Sequence, residues 1–564
     1  MKRIIKFGKE AREKLMEGVE LSTNAIRTTL GPRGSSAIIY TNSQPFPLLA
    51  DDGALVSKCV QAEDQAVNTG CAIIKEVATQ ADNGGGDGTT SATIIAHAIL
   101  RDSLDLINKG VSKKNIKDGI MTATKIAKEE IEKITKQVEN EEQLKNVAFI
   151  SSNDKEVAEL VGSAVYKVGK YGVVQVEEGT MQETRVIDAA GIKFERGFID
   201  RLLTTDPVKG LFDVQKCRIL LLDHELDTAQ EAVKILELAI TKGLPLLVIC
   251  NGCRNEAALA YFRTNKQQYG LKLCLVKAPG HGDIKIQHIQ DIAAATGATV
   301  IGDTTGIGLD MLQADPSKQN CNVDKYVACL GTGNVVVTQN ATTIVVNEKS
   351  EAAIEAAEKI KKELDREDIT PYDRGILEER YANLTSGISV IRVGGSTDTE
   401  ITAKKVKIDD AKNATVSANK FGYVLGGGSA YLWASKKIYE YLDKGYKDTE
   451  TTAGFLNGMH IVANALCGVT AQLIENSGVN DPLEMLTKIN ETLGKEETPK
   501  TGFNAITNTM VDMYESGIID SAKVVMNSLD KAASIAATVI TAETLITEEA
   551  EHEDKVNYAL LNRR

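Results

Sequence analysis

The 564-residue sequence lacks several features that mark familiar classes of protein. It has one Trp, and aromatic residues make up only 5% of the chain, while Ala, Gly, Ile, Val and Thr are abundant. This composition favours layers of helices and sheet over an aromatic-rich β-sandwich. No apolar run reaches the length of a membrane span, and the longest one, 244–250, predicts a buried strand.

Basic residues are outnumbered by acidic ones: the chain has 65 Lys and Arg against 78 Asp and Glu, a formal net charge of −13. Such an acidic chain is a poor electrostatic partner for nucleic acid or an anionic membrane. The N-terminus has no signal-peptide core. The nine cysteines are scattered, and the Cys250–Cys253 pair has no partner at zinc-site spacing. We therefore expect a cytoplasmic protein with no membrane or nucleic-acid partner and a reduced, structural cysteine pair.

The sequence has no G-x-x-x-x-G-K-[ST] phosphate-binding motif, but residues 84–91 form a different glycine-rich stretch, GGGDGTTS. Apolar residues at helical spacing precede it at 72–78 and follow it at 92–100. Glycines let a backbone approach a ligand closely, and a helix start offers free N–H groups to an anion. The hydroxyl groups of Thr89, Thr90 and Ser91 would add donors to phosphate oxygens.

Asp87 stands out in this stretch, because a carboxylate repels phosphate unless a cation lies between them. Mg²⁺ binds one or two carboxylates together with phosphate oxygens, so Asp87 is a candidate metal ligand in a nucleotide site. The alternative is an Asp-Gly turn followed by a Thr N-cap. Similarly, Asp51 and Asp52 at a predicted turn are either solvated or able to hold a metal or orient a water molecule.

Hydrophobic periodicity divides the chain into three parts. The first part contains predicted helices at 9–30, 64–81, 88–109, 113–135 and 155–168, with a hairpin of 37–40 and 48–50. In the middle part, from about 190 to 388, strands alternate with helices, which predicts a parallel or mixed sheet covered by helices. These predicted strands are 218–222, 246–250, 273–276 and 299–301, and the helices are 227–241, 255–266 and 284–296.

After residue 389 the helix-rich pattern with glycine loops returns. A second triple glycine, 426–428, is predicted to open a helix, and 450–545 reads as almost entirely helical. Because the two ends of the chain share this character, we expect them to build one domain, with the middle part inserted between them.

Taken together, the ordered motifs resemble those of the group I chaperonins, the GroEL/Hsp60 family. The resemblance covers nearly the whole chain, from about Phe7 to Ile546. The motifs that carry it are Leu30-Gly31-Pro32-Arg33-Gly34, Asp52-Gly53, Gly86-Asp87-Gly88-Thr89-Thr90, Ile150-Ser151, Lys277-Ala278-Pro279-Gly280, Asp409-Asp410-Ala411, Gly426-Gly427-Gly428 and Phe503-Asn504-Ala505. Each motif alone is weakly specific, whereas their order and separations together are highly specific.

The resemblance implies a multidomain, α-rich α+β fold. A helical equatorial ATPase domain would comprise 1–134 and 421–564, including an acidic tail at 548–564. A small intermediate hinge domain would comprise 135–189 and 389–420, and an inserted α/β apical domain would comprise 190–388. The family also implies ATP and Mg²⁺ as ligands, with K⁺ as a further candidate.

The resemblance further implies individual site residues. Asp410 would position the attacking water as a catalytic residue, Asp52 would be a second catalytic carboxylate near the γ-phosphate, and Asp87 would bind Mg²⁺. The other nucleotide-binding residues would be Thr29, Leu30, Gly31, Pro32, Gly88, Thr89, Thr90, Ser91, Ile150, Ser151, Gly427, Asn504, Ala505, Ile506 and Asp520. Phosphoryl transfer requires mainly positioning and charge neutralisation, which agrees with such a set.

In the apical domain, the resemblance implies an apolar rim that binds non-native polypeptides. Its residues would be Phe198, Ile199, Leu202, Leu203, Val233, Leu236, Ala258 and Phe262. The alternative for any one of them is ordinary packing of an amphipathic element against the core. Arg201 and Arg263 stand where the family usually has uncharged residues, which predicts a more basic rim.

As partners, the resemblance implies a homo-oligomeric ring of about seven subunits, non-native clients and, as a candidate, a co-chaperonin. Ala471 and Asn480 replace charged residues of the family's contact between rings, which predicts a weakened or absent double ring, although both a single and a double ring stay open. The tail lacks Gly-Gly-Met repeats. These departures indicate a divergent member, and a virus-encoded origin is consistent with them. The leading hypothesis is an ATP-driven folding machine, and the alternative is a passive holdase or ring scaffold.

Overall fold

The computed structural model of the protein describes residues 3–40, 47–50, 52–170, 172–178, 182–208, 210–226, 228–280, 282–302, 304–308, 327–346, 350–366, 369–385, 387–445 and 452–548. Asp51 and nearly all of the acidic tail, from 549 onwards, therefore lie outside the described residues. Within the ranges given, no helix combines the length and the apolar character needed to cross a bilayer.

Helices dominate both ends of the chain, and strands are concentrated in its middle. The helices are α1 (Gly8–Arg27), α2 (Gly53–Cys59), α3 (Gln65–Gly85), α4 (Thr89–Asn108), α5 (Lys113–Lys133), α6 (Glu141–Ser152), α7 (Lys155–Val168), α8 (Ala229–Lys242), α9 (Glu256–Tyr269), α10 (Asp283–Thr296), α11 (Glu351–Leu364), α12 (Pro371–Thr385), α13 (Asp398–Phe421), α14 (Ser429–Asp443), α15 (Ala453–Asn476), α16 (Pro482–Lys495) and α17 (Ala522–Val539).

The strands also follow the chain from one terminus to the other. They are β1 (Arg3–Phe7), β2 (Ala37–Ile39), β3 (Leu48–Ala50), β4 (Val173–Glu178), β5 (Arg185–Phe194), β6 (Phe212–Leu222), β7 (Leu246–Cys250), β8 (Leu273–Lys277), β9 (Val300–Ile301), β10 (Gly331–Val337), β11 (Thr342–Val346), β12 (Gly387–Val393), β13 (Tyr423–Leu425), β14 (Thr501–Asn504), β15 (Thr509–Asp512), β16 (Ile519–Ser521) and β17 (Thr544–Glu548).

The chain divides into two compact units. The first is built from both ends of the chain, Met1–Tyr166 and Ala403–Arg564, and the second from its middle, Lys167–Thr402. The finer division into equatorial, intermediate and apical domains, with a hinge at 135–189 and 389–420, stays a prediction.

The core of the first unit is a bundle in which small residues allow helices to approach closely. Gly18 of α1 lies against Gly70 of α3, and a Cβ on either glycine would lie 2.9 Å from the Cα of the other. Gly119 of α5 and Gly458 of α15 form an equivalent contact, at 3.0 Å. Such packing explains how a chain poor in aromatic residues still buries a large core, because contact area comes from the backbones and from Ala, Ile and Val.

The two termini of the chain meet in the first unit. β1 pairs antiparallel with β17, from Arg3 opposite Glu548 to Phe7 opposite Thr544. The carboxylate of Glu543 forms ion pairs with Arg12 and Lys113, which fasten the start of β17 to α1 and α5. The hydrogen-bonded ladder and these ion pairs together confirm that both chain ends contribute to one folded body.

The second unit is built on a mixed sheet with strand order β4-β12-β5-β11-β10-β6-β7-β8, and β9 pairs beside β6. β6, β7 and β8 run parallel, whereas β10 and β11 are antiparallel to their neighbours. Successive side chains of β7 alternate between two cores: Leu247 and Ile249 pack with α10 and α11, while Val248 and Cys250 pack with α8 and α9. Both faces are covered, which is why the strand is continuously apolar.

Most predicted elements are confirmed, and β7 has the predicted bounds. The prediction of an almost entirely helical 450–545 segment was wrong, because 501–521 contains β14, β15 and β16. Helix α6 was not predicted. Cys250 and Cys253 form no disulfide and are buried, which agrees with the predicted reduced, structural pair, and burial raises the pKa of the Cys250 thiol to about 12.

Candidate functional site

The glycine-rich loop of the first unit turns sharply between α3 and α4. Gly86 (φ 71°) and Gly88 (φ 84°) both adopt the left-handed conformation, which favours glycine. A Cβ on Gly88 would also lie 2.3 Å from the Oγ of Ser528 on α17. The sequence therefore needs glycine here for both backbone geometry and close packing, and the predicted loop between two helices is confirmed.

Helix α4 begins at Thr89 directly after this loop, and no side chain caps it. The N-cap position is occupied by Gly88, so the alternative in which a Thr caps the helix was wrong. Thr89 is buried, and Thr90 and Ser91 are partly exposed. An uncapped helix start leaves backbone N–H groups available to an anion.

Asp87 lies between the two left-handed glycines, and both of its carboxylate oxygens are hydrogen-bonded. Oδ1 accepts from the backbone N–H of Gly88 at 2.5 Å, and Oδ2 accepts from the hydroxyl of Ser151 at 2.7 Å. Burial raises the pKa of Asp87, the two hydrogen bonds oppose that rise, and the nearby charges of Asp52 and Asp82 add to it.

Asp52 stands at the start of α2, where it caps the helix. Its Oδ1 and Oδ2 accept from the N–H groups of Ala54 and Leu55, at 2.9 and 3.0 Å. The next residue, Gly53, is so close to α4 that a Cβ there would lie 2.3 Å from the Oγ1 of Thr90. This contact places the predicted second carboxylate beside the free start of α4.

Asp410 reaches the same region from α13. A Cβ on Gly86 would lie 2.3 Å from the Cβ of Asn413, which is one helical turn after Asp410, so α13 packs directly on the glycine loop. Burial, followed by the charges of Asp87, Asp52, Asp82 and Asp409, raises the pKa of Asp410 to about 8.

One further carboxylate of this group, Asp82 in the last turn of α3, was not predicted from the sequence. Its charge raises the pKa of both Asp87 and Asp410. Burial raises its own pKa, and Lys58 opposes that rise. A sequence signal existed, because Asp82 precedes the loop by one helical turn, but no motif singled it out from other helical acids.

The Leu30–Gly34 turn is held by the end of α15. The Nδ2 of Asn476 donates to the carbonyls of Arg27 and Leu30, both at 3.0 Å. Gly31 has φ 84°, and a Cβ there would lie 2.3 Å from the side chain of Leu473. Of the predicted nucleotide contacts here, Thr29 and Leu30 are partly exposed, and Gly31 and Pro32 are exposed.

The remaining predicted contacts come from the C-terminal part of the first unit. Gly427 (φ 58°) precedes α14, and a Cβ there would lie 3.3 Å from the carbonyl oxygen of Phe503. The Oδ1 of Asn504 accepts from the N–H groups of Ile506 and Thr507, which shapes the β14–β15 turn. Ala505 is buried, whereas Ile506 is exposed.

Asp520 and the end of α6 complete the predicted set. Asp520 pairs with Val424 across β16 and β13, and burial and the charge of Asp87 raise its pKa to about 7. Ile150 and Ser151 lie in the last turn of α6, and Ser151 contacts Asp87 as described. The fold thus brings Asp52, Ser151, Asp410 and Asp520, from four separated segments of sequence, close to the Asp87 loop.

The residues present fit Mg²⁺ bound together with phosphate. In the part of the chain that the structure describes, no three His, Cys, Asp or Glu side chains could hold a metal by themselves. A cation at Asp87 would therefore need further oxygen ligands, and phosphate oxygens at the start of α4 would supply them. The raised pKa values of Asp87, Asp410 and Asp520 indicate a group of buried carboxylates that repel one another when ionised. A bound cation would reduce this repulsion.

In the second unit, the predicted rim residues differ widely in exposure. Leu203, Leu236, Ala258 and Phe262 are fully buried in the core shared with β7 and β8, as the packing alternative expects. Three others are partly exposed: Phe198, Ile199 and Val233. Leu202 is 57% exposed, so it is the rim residue that another chain could most readily contact in this conformation.

Arg201 and Arg263, which were predicted to make this rim more basic, both bind other groups of the protein. Arg263 on α9 forms ion pairs with Asp200 and Glu256. Arg201 donates to the backbone carbonyls of Pro207 and Val208. The Arg263 charge is thus neutralised by two carboxylates, and the Asp200–Arg263 pair fastens the turn containing Leu202 to α9.

Comparisons with known proteins agree with this architecture. The model of the TCP-1/cpn60 chaperonin family matches residues 23–550. Among solved structures, the chaperonin gp146 from the bacteriophage EL 2 (Pseudomonas aeruginosa), crystallised in the presence of ATP-BeFx, superimposes with a TM-score of 0.71 at 20% sequence identity. The match covers 97% of this chain and 100% of the phage protein. At this identity the likeness shows a shared fold.

Proposed function

The chain belongs to the TCP-1/cpn60 chaperonin family, and from this premise we propose that it hydrolyses ATP to drive protein folding within a ring of its own copies. The observation that carries the proposal is the convergence of Asp52, Asp87 and Asp410 on the uncapped start of α4. Three carboxylates near a predicted phosphate site are difficult to explain without a bound cation and a reaction that uses them.

In this proposal, the phosphates of ATP lie along the turn of Thr29, Leu30, Gly31 and Pro32 and across the start of α4. The N–H groups and hydroxyls of Thr89, Thr90 and Ser91 would hold phosphate oxygens. Asp87 would hold Mg²⁺, which would neutralise phosphate charge when bound. The ribose and base would contact Gly427, Asn504, Ala505 and Asp520, and Ile150 and Ile506 would be further nucleotide contacts.

Asp410 is the proposed catalytic residue that positions the attacking water. Its pKa of about 8 in the nucleotide-free chain lies close to neutral pH, and a group with a pKa near the working pH can both hold and release a proton. Asp410 lies on α13, which packs on the glycine loop through Asn413. A movement of α13 would therefore change the distance between the carboxylate and the phosphate site, which is how hydrolysis would be coupled to conformation.

Two small sheets support assembly into a ring. β1–β17 and β2–β3 are each two-stranded in the described part of the chain, and a two-stranded sheet is marginally stable by itself. Both expose large apolar side chains: Ile4, Ile5, Phe7, Ile38, Tyr40, Leu49 and Ile546. Exposed strand edges with apolar residues are ready to pair with another chain, and we propose that neighbouring subunits supply that chain.

Capture of non-native clients is proposed for the second unit. Leu202 and Tyr261 expose apolar surface on two elements that the Asp200–Arg263 ion pair holds together. Unfolded chains present apolar groups without a fixed shape, and an exposed apolar surface suits such partners better than a deep pocket. Leu203, Leu236, Ala258 and Phe262 would take part only after a rearrangement that exposes them.

The decisive experiment compares Asp410→Ala with Asp409→Ala in the full-length chain. Asp409 is the adjacent carboxylate, and it pairs with Lys412 at 2.6 Å within α13. We expect Asp410→Ala to bind Mg·ATP as the wild type does but to lose turnover by at least about 100-fold. Asp409→Ala should retain most of the activity.

Phosphate release and equilibrium nucleotide binding would be measured separately for each variant. Equal turnover in wild type and Asp410→Ala would reject Asp410 as the catalytic residue. If the wild type released no phosphate above background yet still prevented aggregation of a denatured protein, a passive holdase would replace the proposed function.

A further inference from the structure

The hydrogen bond between Ser151 and Asp87 joins two segments that are 64 residues apart in sequence. It gives Asp87 a fixed orientation, because Gly88 binds one carboxylate oxygen and Ser151 binds the other. An ionised carboxylate has about four lone-pair sites. With two of them occupied by these donors, the others stay available to a cation.

The helix that carries Ser151 is itself firmly held at its start. Asn140 and Gln143 form a reciprocal capping box there, and the side chain of Gln143 also donates to the hydroxyl of Tyr423 at 3.1 Å. Lys145 forms an ion pair with Glu159 on α7 at 2.7 Å. The Ser151 hydroxyl is therefore presented by an anchored helix, which makes its position better defined than that of a loop residue.

The end of α6 also approaches the Leu30–Gly34 turn. Asn153 ends the helix in the left-handed conformation (φ 51°), and its Nδ2 lies 3.5 Å from the carbonyl oxygen of Pro32. The last turn of α6 thus stands between the Asp87 loop and the Pro32 turn, and it contacts both.

We propose that Ser151 is a positioning residue for a divalent cation: its hydroxyl orients the Asp87 carboxylate rather than contacting the nucleotide itself. This inference rests on the proposed function, since it takes Asp87 as the cation ligand. Groups that hydrogen-bond to metal ligands set the ligand's orientation, and their loss commonly weakens metal binding by about 10- to 100-fold.

The chain offers a matched control one residue further along the same helix. The hydroxyl of Ser152 donates to the carbonyl of Ala148 at 2.7 Å, within α6. Ser152→Ala therefore removes a buried hydroxyl from the same turn without changing the contact to Asp87. Ser151→Thr keeps the hydroxyl at position 151, and Ser151→Val has nearly the shape of Thr without it.

The test is a Mn²⁺ titration of the full-length protein with saturating ADP, followed by electron paramagnetic resonance of free Mn²⁺. We expect Ser151→Ala and Ser151→Val to weaken Mn²⁺ binding by about 10- to 100-fold, and Ser151→Thr and Ser152→Ala to stay near the wild-type value. The affinity for ADP in the presence of EDTA, measured by competition with a fluorescent nucleotide, should be the same for all five proteins.

Three outcomes would overturn the proposed role of Ser151. Wild-type Mn²⁺ affinity in Ser151→Val would overturn this inference and leave the proposed function intact. A loss of metal-free ADP affinity equal to the loss of Mn²⁺ affinity would show that Ser151 contacts the nucleotide directly, which also overturns it. A wild-type protein that bound no Mn²⁺ with ADP would reject both. If Ser151→Ala did not fold, the Mn²⁺ affinities of Ser151→Thr and Ser151→Val would still show the effect of removing the hydroxyl.

Discussion

Asn413 lies directly against Gly86, so that a Cβ on the glycine would be 2.3 Å from the Cβ of the asparagine. The contact joins α13, which carries Asp410, to the loop that carries Asp87. Because Gly86 has no side chain, α13 can pack directly against the backbone of the loop. The distance between Asp410, the proposed catalytic residue, and Asp87, the proposed metal ligand, therefore depends on Gly86, which has neither of these roles.

Substitution of this glycine should uncouple the helix from the loop. Gly86→Ala would both strain a backbone at φ 71° and push α13 away, and a displacement of about 1 Å can reduce turnover by about 100-fold. Gly110→Ala is the control, because Gly110 has φ 91° but open space around its Cβ position. It should cost about 1–2 kcal/mol of stability and leave ATP turnover per folded subunit unchanged. Similar turnover in the two variants would contradict the proposed role of the contact.

The raised pKa of Asp410 predicts a pH-dependent effect on stability. Its folded-state pKa of about 8 lies above that of an unfolded Asp, so its favourable contribution is complete below about pH 4 and is lost as the pH rises towards 8. Asp410→Asn removes the charge that becomes costly at high pH.

We therefore expect the apparent melting temperature of nucleotide-free Asp410→Asn to exceed that of the wild type by roughly 2 °C or more at pH 8. The difference should shrink towards zero near pH 4.5. Differential scanning fluorimetry at both pH values checks this, with Asp409→Asn as the control that should show no such trend. An equal difference at both pH values would contradict the assignment.

Assembly should depend on the apolar residues of the small sheets. Ile38 on β2 is 75% exposed, and Ile38→Lys would place a charge where we propose that another subunit packs. We expect ring-sized particles to dissociate into smaller species in mass photometry. Tyr269→Lys, at an exposed apolar residue of α9 in the second unit, should leave assembly unchanged. Intact rings in Ile38→Lys would exclude β2 from the interface.

Substitution of the exposed rim residue Leu202 should weaken client capture, whereas substitution of a buried rim residue should lower stability. Leu202→Ser should weaken suppression of aggregation of a chemically denatured reporter protein without lowering the melting temperature, since Leu202 lies at the surface. Phe262→Ser should instead destabilise the second unit by about 3–5 kcal/mol, because Phe262 is fully buried. Unchanged capture by Leu202→Ser would remove this surface from the proposal.

Several features of this protein could be read from its sequence because they depend on neighbours along the chain. Strand β7 was predicted with its correct bounds, since a continuous apolar run between turn residues has few other solutions. The loop at 84–91 was recognisable because its glycines interrupt two apolar helical patterns, and its confirmed conformation needs those glycines. The order of such motifs was also sufficient to indicate the chaperonin family.

Local patterns were misleading where tertiary contacts override them. The segment 501–521 was expected to be helical, but it forms short strands, and β16 takes its hydrogen bonds from β13, almost 100 residues earlier in the chain. Helix α6 carries many polar residues and gave no clear apolar period, yet its capping box and its contacts with α7 stabilise it.

The sequence by itself determined most of the helices, strand β7 and the glycine turn at 84–91, because these follow from backbone freedom and from the spacing of apolar residues. Only the tertiary structure decided which side chains meet. It buried Phe262 while exposing Leu202, it brought Asp82 towards the candidate site, and it placed Ser151 on Asp87. Such contacts join residues far apart along the chain, and their energies depend on burial and distance, which a linear pattern does not contain.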